Sequence, residues 1–147
     1  MTGTTGTIDR TMDTDAGTLG AAIASQPAWL QAWVMAMVVV HLLAVVFAAT
    51  RTPDGWRVRP EPLAILVSFL AAGVFMGWLY EQYGYVRLLG LAHLVFWTPV
   101  YLWVLTRRKD PAPGSLFGKY LVVYLLIAGL SLVVDAIDLV RYLSRTA

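Results

Sequence analysis

The chain has 147 residues, of which 59% are apolar and only 14% charged, with a formal net charge of +2. Soluble domains run nearer about half apolar and about a quarter charged, so this balance excludes a disordered chain, a nucleic-acid binder with a basic surface and an ordinary water-soluble enzyme. Cysteine is absent, which removes disulfides, thiol catalysis and thiolate metal sites.

Residues 1–27 read as a polar tail of Thr, Gly and Ala with Asp9, Arg10, Asp13 and Asp15 scattered through it. It has no apolar face and is expected to stay disordered. It also lacks the basic start and apolar core of a signal peptide. After Pro27 the character changes. Four apolar stretches follow, at residues 28–50, 63–80, 87–106 and 120–143. About 20 apolar residues at about 1.5 Å rise cross a hydrocarbon core of about 30 Å, so each reads as a transmembrane helix. The second is short, which implies little tilt or a locally thin bilayer. Residues 51–62 and 107–119 are rich in Pro, Gly and Asp and separate the helices. Glu81 to Arg87 is a tight polar turn around Gly84.

The fold class expected is therefore all-α, a four-helix transmembrane bundle of two antiparallel hairpins. Arg51, Arg57, Arg59, Arg107, Arg108, Lys109 and Lys119 lie on one side, against Arg10, Arg87, Arg141 and Arg145 on the other. The positive-inside rule then puts the first and third loops in the cytoplasm and both termini on the non-cytoplasmic side. Trp29, Trp33, Trp78, Tyr80, Tyr83, Tyr85 and Tyr142 mark the outer interface, and Trp56, Trp103 and Tyr120 the inner one. A slide of 56 residues lays Ala72-Gly73 on Ala128-Gly129 and Leu70 on Leu126, a weak sign of internal duplication.

Polar groups inside such helices are costly, so function is sought there first. Counting from the outer helix ends places His41, Ser68, Thr98 and Ser131 roughly 16 to 18 Å deep, one per helix, in a candidate midplane layer. The plain alternative is that Ser and Thr bond back to their own helix carbonyls. A second group lies nearer the outside. His93 and Asp135 come out at about 10 Å depth, with Asp138 one turn further out. Ser131, Asp135, Asp138 and Tyr142 form one stripe along the fourth helix. The expected pairings are His93 with Asp135, and Arg87 or Arg141 with Asp138, with Glu81 nearby. These pairs either tie the third and fourth helices together, the reading the sequence favours, or line an outward-facing pocket for a proton or small cation.

Pro99 is expected to interrupt and kink the third helix. Gly73 and Gly77 form a G-x-x-x-G motif on the second helix, where small residues let helices approach closely, within one chain or between copies. Two imidazoles are too few for a convincing tetrahedral metal site, and no phosphate loop or catalytic motif is present in the sequence. His41 and His93 invite a b-type haem, but their depths differ by roughly 8 to 9 Å, which argues against coaxial ligation.

The leading expectation is a small non-enzymatic membrane component, a subunit, scaffold or self-associating bundle, in a bacterial cytoplasmic membrane. Its partners would be lipid, a second copy or other membrane proteins, with no nucleic acid and no cofactor. A proton- or small-cation-translocating protein is the alternative, and a haem redox protein the third.

Overall fold

The computed structural model describes residues 18–84, 87–112 and 114–146, with Arg87 described in its backbone alone. The tail residues 1–17, Tyr85 of the outer belt and Pro113 lie outside the described residues. Six α-helices are present among the described residues: α1 (Leu19–Ala24), α2 (Ala28–Leu42), α3 (Ala44–Phe47), α4 (Pro60–Tyr83), α5 (Leu91–Arg107) and α6 (Leu116–Thr146). A 3-10 turn at Arg87–Gly90 leads into α5. Among the described residues four helical stretches are long and apolar enough to cross a membrane: Ala28–Phe47, Pro60–Tyr83, Leu88–Arg107 and Leu116–Thr146.

Several boundaries differ from those expected, each for a local reason. The polar segment before Pro27 was expected to lack structure, yet Leu19–Ala24 is helical, with the Thr18 hydroxyl accepting from the Ala21 amide. The first stretch turns at Leu43 and ends at Phe47 rather than residue 50. The chain then enters an antiparallel hairpin of β1 (Ala49–Thr52) and β2 (Gly55–Val58), so the fold is not purely helical. Pro53-Asp54 occupies the turn, Gly55 takes φ 121°, and Thr52 Oγ1 donates to the Gly55 carbonyl. The second stretch is 24 residues long, not 18. Pro60 and Pro62 fall in its first turn, where missing amides cost no helical bond, and Gly84 at φ 69° ends it. Pro99 sits within a continuous α5 and does not break it. The fourth helix starts at Leu116 because Ser115 caps it, its hydroxyl accepting from the Gly118 amide at 3.0 Å.

α6 is the central helix. Of its most apolar window 39% is buried, against 22% in each of the other three stretches. It packs on α5 and α2, while α4 packs on α5, α3 and α2. The core has two zones. One, nearer the hairpin, is built around Val40, Ile65, Val104, Leu121 and Tyr124. The other holds Met37, Ala72, Ala92, Trp97 and Leu132. Large apolar side chains cover the outside, among them Val74, Leu126, Val46 and Val140, each at least 65% exposed. That much apolar surface suits a lipid surround and not water. The 56-residue alignment holds for burial at two positions: Ala72 and Ala128 are both buried, and Leu70 and Leu126 both face out.

Candidate functional site

The stripe on α6 supplies the site. Asp135 reaches across to α5, where its Oδ2 lies 2.8 Å from His93 Nδ1. Both side chains keep a little accessibility, 13% for His93 and 17% for Asp135. A carboxylate only accepts, so Nδ1 carries the hydrogen and Nε2 is left for a proton or ligand. Ser131, one turn earlier, donates its hydroxyl to the same Oδ2 at 3.3 Å. Both hydrogen bonds therefore fall on one oxygen. Oδ1 accepts none among the described side chains.

Gly90 makes this position possible. An ideal Cβ there would lie 2.7 Å from Asp135 Oδ1 and 3.0 Å from its Cβ and Cγ. Any side chain at residue 90 would displace the carboxylate. The pair lies on the wall of a cavity of about 540 Å³, in the size range of small-molecule sites. α5 and α6 give it His93, Trp97, Ser131 and Asp135; α2 and α4 give it an apolar wall that includes Trp33, Met37, Phe69 and Met76. Leu19 and Ile23 of α1, Leu89 and Asp138 also line it, so the start of the first stretch, the turn before α5 and the end of α6 meet at one end of the molecule. Asp138 is 4.0 Å from Arg141. The expected Arg87 contact lies outside the described side chains. Glu81 is exposed and touches neither Asp135 nor His93 within hydrogen-bonding distance.

The two histidines, assigned by depth to separate layers, meet on one residue. His93 stacks on the Trp97 indole and His41 lies tilted against it, each with ring centroids 4.1 Å from that of the indole. His41 also stacks on Phe69 at 5.0 Å and meets the edge of Tyr124 at 5.5 Å. A haem held by both imidazoles would need its macrocycle where the indole stands. His41 Nδ1 donates to the Met37 carbonyl at 2.7 Å. Its Nε2, Trp97 Nε1 and the Tyr124 hydroxyl are buried without a hydrogen-bond partner among the described residues.

The four midplane candidates do not form a side-chain network. His41 and Ser68 bond their own helices, Ser68 to the Ile65 carbonyl at 2.9 Å, because a short hydroxyl in a helix finds the preceding turn first. Ser131 joins Asp135 instead, and Thr98 is half-buried. Gly73 and Gly77 have nothing within 4 Å of an added Cβ, and Gly73 borders the cavity. The close approach falls elsewhere, at Gly129, where a Cβ would stand 2.6 Å from the Tyr101 hydroxyl.

The opposite end carries Arg59 and Arg107, which the sequence offers only as orientation signals, and Glu61, which sequence reasoning did not single out. Glu61 pairs with Arg107 at 3.5 Å, and Arg107 also lies over Trp103 at 5.1 Å. Arg59 lies 4.3 Å over Phe117. The available signal was placement: Glu61 opens one helix where Arg107 closes the next. Among the described residues no three His, Asp or Glu side chains converge on a metal-sized site. The chain matches no family model, no curated protein and no solved structure.

Proposed function

We propose that this is a multi-pass membrane protein that takes up and releases a proton at His93 and Asp135, in the manner of a proton- or cation-translocating protein. The observation that carries the reading is the 2.8 Å Nδ1–Oδ2 bond on the wall of a cavity. A purely structural pair has no need of open space beside it. Asp135 holds the imidazole in one orientation and balances its charge when Nε2 is protonated, so an apolar cavity tolerates both forms. The Lys and Arg excess at the hairpin end supports a cytoplasmic hairpin, with the cavity opening to the other side. The test is a proton-flux assay in proteoliposomes. Wild type is expected to carry flux, and Asp135→Asn to lose most of it; equal flux in the two, or none in wild type, would end the reading.

A second reading, association with a second copy or with other membrane proteins, is supported by the α4 face at Gly77. Nothing in the described chain packs there. Small residues allow close helix approach in lipid. Gly77→Leu is then expected to reduce cross-linking between copies in membranes. Unchanged cross-linking would remove this support.

A further inference from the structure

We infer that the cavity beside His93 and Asp135 receives a lipophilic organic cation, which binds in exchange for the proton of the pair. The inference rests on the proton-binding reading and names its substrate class. Three observations carry it. The first is charge. Among the described residues the ionisable groups on the cavity wall are Asp135, Asp138 and His93. With its proton the His93–Asp135 pair is neutral, and without it the pair carries one negative charge in an apolar surround, which needs a counter-cation. The second is access. His93 and Ser131 both occupy Asp135 Oδ2. Oδ1 accepts no hydrogen bond among the described residues and lies beside Gly90, itself on the cavity wall. The third is the lining. Trp33, Met37 and Met76 are apolar and polarisable, and an indole face attracts cations. A volume of about 540 Å³ suits a bulky amine or onium ion and far exceeds a bare metal ion.

Among the described side chains the other charged or titratable groups near the pair are few; Arg87, on the 3-10 turn that packs against α6, is described in its backbone alone. α6 contributes Asp138, 4.0 Å from Arg141. α5 contributes His93 alone, and the α4 residues on the cavity, Phe69, Ala72, Gly73 and Met76, carry no charge. His41 of α2 lies on Trp97, the indole that His93 also contacts. α1 gives the wall Leu19 and Ile23, and Gln26 follows it. The exchange involves no covalent step. One proton leaves the His93–Asp135 pair for water as one cation enters, and net charge in the site is conserved.

The experiment uses purified full-length protein in nanodiscs with tetraphenylphosphonium as the probe and triphenylphosphine oxide as its neutral counterpart. Binding is read by equilibrium dialysis, and proton release by an indicator dye in weak buffer. Wild type is expected to bind the cation saturably and to release close to one proton per cation. Affinity is expected to fall about tenfold per pH unit once the pair is protonated. Asp135→Asn is expected to abolish both signals, and the neutral compound not to compete. Cation binding without proton release, or equal binding of the neutral compound, would overturn the inference. Both are measured on wild type, so misfolding of the variant leaves the test intact. The proton site is followed separately by the pH dependence of the His93 ring resonances. If those resonances titrate and no cation binds, the substrate class is wrong and the proton-binding reading stands. If they do not titrate between pH 4 and 10, both fall.

Discussion

Asp135 occupies the space that a side chain on residue 90 would fill, its Oδ1 lying 2.7 Å from an ideal Cβ built on Gly90. The 3-10 turn and the carboxylate are thus fitted to each other, and the His93 contact depends on that fit. Gly90→Ala is expected to push Asp135 away and break the Nδ1–Oδ2 bond. Overpacking of this kind costs about 1–3 kcal/mol. The His93 ring resonances should lose their dependence on Asp135, and the melting temperature in detergent should fall. A Gly90→Ala protein with wild-type melting and an unchanged His93 spectrum would refute the fit.

Ser68 and Ser131 were grouped by depth, yet their hydroxyls do different things. Ser68 bonds the Ile65 carbonyl on its own helix, and Ser131 donates to Asp135. Removing a hydroxyl that bonds its own helix changes stability little, within about 0.5 kcal/mol. Ser68→Ala should therefore leave both stability and proton binding as they are. Ser131→Ala removes one of two donors from Asp135 Oδ2 and should loosen the hold on the carboxylate, read as a change in the His93 ring resonances and a lower melting temperature. Identical His93 spectra and melts for the two variants would show that Ser131 plays no part in the site.

The sequence made some of this legible and hid the rest. The four apolar stretches could be read because length and composition alone decide whether a helix can cross lipid. The His93–Asp135 contact could be read because depth counting put both residues at one level on helices joined by a short loop. Depth counting put His41 and His93 in separate layers and gave no sign that the Trp97 indole bridges them, because rise per residue measures position along an axis and says nothing about how far a side chain reaches between helices. The 49–58 hairpin was hidden by treating Pro-Asp-Gly as a helix stop, although the same residues form a tight turn. The glycine contacts were hidden because G-x-x-x-G marks a small-residue face without saying what lies opposite it.

That last point sets Gly77 against Gly129. An added Cβ at Gly77 meets nothing within 4 Å, while one at Gly129 lies 2.6 Å from the Tyr101 hydroxyl and 3.1 Å from its Cζ. Within a single chain, Gly77→Ala should leave thermal stability unchanged. Gly129→Ala forces the Tyr101 ring to move and should cost about 1–3 kcal/mol. Thermal melts of the two variants in the same detergent decide the matter, and equal melting temperatures would contradict the close approach on α6.

Tyr120 and Tyr124 sit one turn apart on α6, both buried, and differ in one bond. The Tyr120 hydroxyl donates to the Val40 carbonyl at 3.0 Å, holding α6 to α2 three residues before the turn at Leu43. The Tyr124 hydroxyl has no partner among the described residues. A net hydrogen bond contributes about 1 kcal/mol, and an unpaired buried hydroxyl is a cost of about 1–3 kcal/mol. Tyr120→Phe should therefore lower the melting temperature. Tyr124→Phe keeps the ring against His41 and deletes only the unpaired oxygen, so it should leave the melting temperature unchanged or raise it. A destabilised Tyr124→Phe protein would mean that its hydroxyl is held in solution by a bound polar molecule, and that the His41, Trp97 and Tyr124 cluster is a second polar site.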